Sequence, residues 1–295
     1  MTVILDDGER VADLPSDPAT AARVVRIDGY ADLRGYAHPL PALRRIDGWA
    51  ILRDYAHALP DGLIVGGALD LSGCTALTAL PDGLTVRGWL DLSGCTGLTA
   101  LPDDLTVGDW LDLSGCTALT TLPPGLTVGG ALDLSGCTAL TTLPDGLSVG
   151  GSLYLRGCTG LTALPPGLTV GSWLNLSGCT GLTALPPALT VGGWRNLRGC
   201  TALTALPDGL IVGGALDLRG CTGLDHYCVG RDARGYAFYG IPMRDGPHVV
   251  AGCRNFTGAQ ALAHWGPGGE SDRPDCLALA QKAIALAERV IGDRP

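Results

Sequence analysis

The sequence predicts a β-rich solenoid of about ten parallel coils, without long helices on its convex side, followed by a small α+β capping module. Three observations lead to this prediction. Cysteine recurs eight times at an interval of 21 residues, leucines recur at fixed phases around it, and the period stops after Leu224. A period this short indicates that each repeat is one coil and that neighbouring coils bury each other. The eight cysteines are Cys74, Cys95, Cys116, Cys137, Cys158, Cys179, Cys200 and Cys221.

Residues 1–64 are predicted to form an N-terminal cap that contains two degenerate 19-residue coils. These coils begin at Ile27 and Ile46, and they carry Tyr36 and Tyr55 where the later coils carry cysteine. A position that accepts either tyrosine or cysteine is typical of a packing position. We therefore expect the cysteine column to be buried and reduced, and stacked neighbours with parallel Cβ vectors are also poorly placed for disulfides.

Residues 65–224 are predicted to form the regular part of the solenoid, and one 21-residue repeat runs from Val86 to Thr106, with Val107 equivalent to Val86. Its apolar residues are two apart at Leu90 and Leu92 and again at Leu105 and Val107, which is the alternation of a strand. Between these pairs, Leu101-Pro102 excludes a helix. Each coil is therefore predicted to hold two short strands.

The pattern from Leu90 through Cys95 to Leu101-Pro102 resembles the leucine-rich repeat family, with cysteine at that family's asparagine or cysteine position. It is most similar to the short bacterial repeats that carry Leu-Pro, and to near-identical arrays in bacterial and phage reading frames. The resemblance covers about residues 27–224 and implies protein binding by the strand face. The extra Val-Gly-Gly before the first strand departs from the short bacterial type, so a flattened β-solenoid is an alternative interpretation of the repeats. Bacterial effectors with such repeats can carry a cysteine-based ubiquitin-ligase domain. No cysteine after Leu224 lies in a Cys-x-Asp motif, so we do not expect that activity in this chain.

Residues 225–295 are predicted to form the α+β module that covers the last coil. Residues 234–243 and 248–254 read as two strands around a turn that includes Arg244. Thr257 and Gln260 form a capping box for a short helix through Trp265, and apolar residues at helical spacing predict a final helix from Pro274 to Ile291. Histidines and cysteines of the module have no metal-ligand spacing, so neither zinc nor another cofactor is expected. They are His226, Cys228, His248, Cys253, His264 and Cys276.

Differences between coils concentrate at the outward positions of the first strand, the surface that the resemblance implies for binding. Tryptophans precede the first inward residue in four coils, aspartates follow that residue in five coils, of which the first four are consecutive, and Tyr154 and Arg156 interrupt the pattern. The candidate partner-binding residues are Trp89, Trp110, Trp173, Trp194, Asp70, Asp91, Asp112, Asp133, Tyr154 and Arg156. We call this set the Trp/Asp strip.

Two features of the Trp/Asp strip favour a binding role. The tryptophans alternate outward while leucines face inward, and stacked aspartates on adjacent strands repel one another. Tryptophans are common anchors of protein interfaces, and the aspartates suit a partner with a basic patch. The alternatives are recent duplication without function, a carbohydrate-binding or phage-surface adhesin that uses the same residues, and an enzyme seated in the C-terminal module. The leading interpretation is a non-enzymatic protein-binding scaffold.

Two other positions need an explanation. An unbroken threonine column begins at Thr75 and follows the cysteines, and we expect its hydroxyls to bond the local backbone rather than to bind ice. Arg195 occupies an inward leucine position in Trp194-Arg-Asn-Leu197. Either the strand shifts there, or Arg195 reaches a carboxylate or backbone carbonyls, because arginine is rarely buried without partners.

Charge and composition restrict the classes of partner. The 295-residue chain has a net charge of −9, with nine Asp and one Arg between 65 and 151, which argues against a nucleic-acid binder. No stretch of about 18 apolar residues predicts a membrane span. The first ten residues lack the basic and apolar regions of a signal peptide, so a cytoplasmic protein is expected.

Overall fold

A computed structural model describes residues 2–55, 57–187, 189–207, 215–243, 246–252, 254–271 and 273–292. It contains a parallel β-solenoid of about nine turns and a small C-terminal α+β region, which confirms the predicted fold class. The chain divides into two compact units, residues 1–154 and 155–295.

In the first unit, each coil contributes one strand to each of two parallel sheets, because two alternating pairs per coil face the same core. We call the first sheet the Thr-Val sheet, after the residues of its regular strands. It continues from an N-terminal antiparallel hairpin, Thr2–Leu5 with Arg10–Val11. Its coil strands are Val24–Asp28, Arg45–Ile46, Ile64–Val65, Thr85–Val86, Thr106–Val107, Thr127–Val128 and Ser148–Val149. The Leu-Asp sheet consists of Ala31–Asp32, Ala50–Ile51, Leu69–Asp70, Leu90–Asp91, Leu111–Asp112, Leu132–Asp133 and Leu153–Tyr154.

Both sheets pair their strands in exact repeat register, so that Leu90 lies beside Leu111 and Asp91 beside Asp112. The register follows from the fixed period, because any shift by one residue would turn the leucines outward. One short helix, α1 (Pro18–Ala21), precedes the coils, and Asp17 caps it by accepting from the Thr20 backbone N–H.

The second unit repeats this arrangement. Thr169–Val170 pairs with Thr190–Val191, and Leu174–Asn175, Arg195–Asn196 and Leu216–Asp217 pair in that order. A 3-10 helix, Thr222–Tyr227, then leads into the C-terminal region.

The C-terminal region is a four-stranded antiparallel sheet in chain order, packed against two helices. Its strands are Cys228–Arg231, Ala237–Met243, Gly246–Ala251 and Arg254–Thr257. The helices are α2 (Gly258–Trp265), with the predicted Thr257–Gln260 capping box, and α3 (Pro274–Gly292). Phe238, Val249, Ala261 and Trp265 lie in its separate apolar core. The predicted turn at Arg244 lies outside the described residues.

The cysteine column is buried, and its geometry explains why cysteine recurs. The Cys95 Sγ donates to the Leu71 carbonyl oxygen at 3.2 Å, and the Cys116 Sγ donates to that of Leu92 at 3.2 Å. Each thiol therefore bonds the second inward leucine of the coil before it. Tyr55 occupies the equivalent position and its hydroxyl donates to the His38 carbonyl at 3.3 Å, so both residue types at this position combine a donor with apolar bulk.

We expect the column thiols to resist labelling in the native protein. Burial raises the pKa of Cys95 to about 12 and that of Cys116 to about 11, so almost no thiolate exists at pH 8. Titration with a thiol reagent should label the partly exposed Cys228 and leave the column unreacted until denaturant is added. A Cys228→Ser variant is the control for the fast phase. Rapid labelling of eight further thiols would contradict the buried column.

Candidate functional site

The outward positions of the Leu-Asp sheet place the tryptophans of the Trp/Asp strip largely in solvent. Trp110 is 41% exposed, Trp173 52% and Trp194 61%, while Trp89 is partly buried. Their exposure follows from strand alternation, because the leucine after each one faces the core.

Sequence reasoning missed two aromatic residues at the same phase in the degenerate coils. Trp49 is 60% exposed and Tyr30 is 47% exposed. Each follows Ile-Asp-Gly, as Trp89 follows Val-Arg-Gly, so alignment of the 19-residue coils with the later ones would have found them.

In the first unit, the aromatic residues contact one another across a coil that carries alanine. The Trp49 and Trp89 rings lie edge to face with centroids 6.4 Å apart, and Ala68 of the coil between them is buried. A Cβ on Gly67 would clash with the Trp49 Cδ1, so the Trp49 ring covers this glycine. Small residues in the intervening coil therefore let the rings form one apolar surface.

The aspartate column has a structural role that the sequence interpretation did not include. In each coil, Oδ1 of the aspartate accepts from the backbone N–H two residues later: Asp91 from Ser93 at 2.9 Å and Asp112 from Ser114 at 2.8 Å. Asn175 accepts from Ser177 in the same way, at 3.1 Å. These are Asx turns, and they explain why asparagine replaces aspartate in some coils.

The charge of the aspartate column is neutralised at Asp70 by an arginine, whereas the next three aspartates of the column lack such a partner in the described chain. Asp70 is buried and accepts from Arg53 and Ser72, and these bonds lower its pKa against the opposing effect of burial. Beyond it, three partly exposed aspartates have no basic side chain within ion-pair distance in the part of the chain that the structure describes. They are Asp91, Asp112 and Asp133. An Asx turn needs only an oxygen acceptor, so it does not account for their charge.

In the second unit, the Trp/Asp strip has a different character. The Trp173 and Trp194 rings stack with centroids 6.0 Å apart and an interplanar angle of 21°. Asn175 and Asn196 follow them instead of aspartates, and Arg156 is exposed. The second-unit part of the Trp/Asp strip is therefore aromatic, and the strands Leu174–Asn175 and Arg195–Asn196 carry no carboxylate. Tyr154, partly exposed, ends the first unit beside Asp133.

Arg195 lies in the core, as its leucine position requires, and is 3% exposed. Its strand keeps the register with Leu174 and Leu216, so the strand does not shift. Its guanidinium donates to the Val191 carbonyl at 3.0 Å and to the Gly193 carbonyl at 3.4 Å. Of the three alternatives that the sequence left open, contact with backbone carbonyls is the one that the structure shows.

The threonine column that begins at Thr75 does not behave as expected. Its residues are exposed, and the bonds at this bend come from the backbone, where the Thr75 N–H donates to the Gly73 carbonyl at 2.7 Å and that of Thr96 to Gly94 at 2.8 Å. The hydroxyls that do bond the backbone belong to other columns, such as Thr127 and Thr120.

The C-terminal histidines and cysteines are dispersed. His248 is buried and its Nδ1 lies 3.1 Å from the Asn255 Oδ1, whereas Cys276 lies beneath Asp232, 3.9 Å from its Oδ2. His264 lies between Glu270 and Ser271. Among the residues that the structure describes, no group of three or more histidine, cysteine or acidic residues is arranged to hold a metal ion. Cys253 lies outside those residues, as does the His226 side chain.

Comparison with protein-family models, with curated proteins and with solved structures found no match. No helix of the described chain combines the length and apolar character needed to cross a bilayer.

Proposed function

We propose that the chain is a non-enzymatic scaffold of the leucine-rich repeat type that binds another protein through the first-unit part of the Trp/Asp strip. The observation that carries this proposal is the coexistence of exposed tryptophan rings with three aspartates whose charge has no partner within the described chain. Ten free thiols in the described residues suit a reducing cytoplasm, where we place its action.

The charge pattern indicates the chemistry of the partner. Asp91, Asp112 and Asp133 lie on adjacent parallel strands, where carboxylates about 5 Å apart repel one another. Arginine or lysine side chains of a partner would relieve that repulsion, as Arg53 does for Asp70. The partner is therefore expected to present a basic surface flanked by apolar groups that pack on the tryptophans.

The first experiment removes the aromatic anchors. A Trp89→Ala, Trp110→Ala double variant should keep its fold, because other coils carry alanine at this position, as at Ala68 and Ala131. It should bind the partner captured by the wild-type chain at least about thirtyfold more weakly, the effect of losing interface anchors of about 2 kcal/mol. Equilibrium binding measures this. The control is Thr106→Ala with Thr127→Ala, which changes the opposite sheet. Unchanged affinity in the tryptophan variant, or equal loss in the control, would refute the proposal.

The second arm of this experiment removes charge while keeping the turn. Asp91→Asn with Asp112→Asn retains an Oδ1 acceptor, as Asn175 and Asn196 do naturally. We expect unchanged or slightly higher stability, weaker binding and a smaller loss of affinity between low and high salt. A salt dependence equal to that of the wild type would remove the aspartates from the interface.

A second candidate function rests on the second unit. The near-parallel, exposed Trp173 and Trp194 rings offer a stacking surface for sugar rings, and the neighbouring Asn175 and Asn196 amides can donate to hydroxyls. A carbohydrate-binding adhesin would bind glycans without marked salt dependence, and Trp173→Ala should abolish that binding while Trp110→Ala should not.

A further inference from the structure

A cavity of about 270 Å³ lies within the second unit, where the last strand of the Leu-Asp sheet meets the C-terminal region. Three arginines line it: Arg219 from the last coil, and Arg234 and Arg254 from the C-terminal sheet region. Tyr236, Trp265 and Ser271 also line the cavity. The cavity is distinct from the Trp/Asp strip.

Two of the arginines are held in place by aspartates. The Arg219 Nε donates to the Asp217 Oδ1 at 2.8 Å, and the Arg234 Nη2 donates to the Asp232 Oδ2 at 3.1 Å. Such ion pairs fix each guanidinium, and because arginine has five donors, that of Arg234 keeps further N–H groups for a ligand.

Asp232 is the one acidic side chain in the described lining, and its acceptor capacity is already used. It accepts from the backbone N–H groups of Arg234 and Tyr236 at 3.0 and 2.9 Å, besides its bonds to the guanidinium groups of Arg234 and Arg273. Its side chain is buried. It therefore acts as a support for the arginines and does not repel an anion as an exposed carboxylate would.

Arg254 differs from the other two arginines because no carboxylate pairs with it in the described residues. Its Nη1 lies 3.3 Å from the His264 Nε2, which also lies 3.1 Å from the Ser271 Oγ. The His264 Nδ1 lies 3.1 Å from Glu270, so the tautomer that donates to Glu270 leaves one Nε2 lone pair, which the Arg254 Nη1 and the Ser271 Oγ share. Histidine thus orients Arg254 and Ser271 together and leaves most of the Arg254 donors available.

The remaining wall is aromatic. Tyr236 is exposed, and the Arg234 guanidinium lies 5.2 Å from the centroid of its ring. Trp265 is buried and packs against Phe238. The cavity therefore combines guanidinium donors with an apolar side, and its volume suits a small molecule and not a polymer.

We propose that this cavity binds a small organic anion, in which a carboxylate or phosphate is attached to an aromatic or apolar body. Arg254, supported by Arg234 and Ser271, binds the anionic group, because guanidinium recognises both groups through paired hydrogen bonds. Tyr236 and Trp265 contact the body of the ligand.

Titration calorimetry with phenyl phosphate tests the proposal on the full chain. We expect saturable binding at one site. Phenol, which lacks the charge, and inorganic phosphate, which lacks the ring, should each bind at least about tenfold more weakly. Absence of saturable heat with phenyl phosphate, or equal affinity for all three compounds, would overturn the proposal.

Variants assign the binding to this cavity. Arg254→Gln should weaken phenyl phosphate binding at least about tenfold without changing the melting temperature, because Arg254 is exposed and forms no ion pair among the described residues. Tyr236→Ala should reduce the preference for phenyl phosphate over inorganic phosphate. The matched control is Arg289→Gln on α3, an exposed arginine away from the cavity lining, which should bind as the wild type does. Equal weakening by Arg289→Gln would show attraction by net charge alone and refute a cavity site.

Discussion

Replacing Arg195 by leucine is expected to raise the free energy of unfolding by about 2–4 kcal/mol. Arg195 occupies an inward position that every other regular coil fills with leucine, and its guanidinium is almost fully buried. Replacing buried charge by apolar side chains of similar volume stabilises proteins by amounts of this order.

The hydrogen bonds of Arg195 do not compensate for its burial. Two carbonyl oxygens accept from it, but its Nε has no partner in the described structure and no carboxylate faces it there. Burial lowers the pKa of Arg195. Since the folded pKa is below the unfolded one, the charged form is destabilising at every pH below the folded pKa, and wild-type stability should rise only as pH passes through it.

Urea denaturation of the wild type, Arg195→Leu and Arg198→Leu measures the effect. Arg198 lies in the same coil and is exposed, so its replacement removes the same charge and should change stability by less than about 0.5 kcal/mol. Equal stability of Arg195→Leu and the wild type would mean that the guanidinium is solvated, and the core position assigned to it would be wrong.

The coil was predictable because its determinants repeat within the sequence. Leu90 and Leu105 each begin an alternating pair, and the strands found there are Leu90–Asp91 and Thr106–Val107. The capping box at Thr257 was equally local, since both partners lie within one helical turn. Structural features that depend on a few neighbouring residues, or that recur in every coil, can therefore be predicted from the sequence.

Features that depend on geometry between residues were missed. The aspartate column was interpreted either as a binding surface or as a product of recent duplication, although Asp91 also closes a turn that asparagine can close. The strands Cys228–Arg231 and Arg254–Thr257 gave no clear alternation. The contact between Arg254 and His264 depends on how a strand and the end of α2 meet, which no spacing in the sequence reveals.

The last coil has an apolar surface that the C-terminal region must cover. Leu216, Leu218 and Leu224 are buried, although the strand Leu216–Asp217 is at the edge of its sheet. That strand contacts Arg254–Thr257 of the C-terminal sheet. An uncovered edge strand with apolar neighbours is a site for association between chains.

Deleting residues 225–295 is therefore expected to destabilise the solenoid by roughly 5 kcal/mol or more, at about 1.5–3 kcal/mol for each of three leucines exposed to water. The truncated chain should also aggregate with rising concentration, because end coils of solenoids need caps. Light scattering after size exclusion and the melting temperature measure both effects, with a chain that lacks only residues 293–295 as the control. If the truncated solenoid stayed monomeric and melted at the wild-type temperature, the C-terminal region would not be a cap. Its cavity, and not the cover that it gives to the last coil, would then be the reason for its presence.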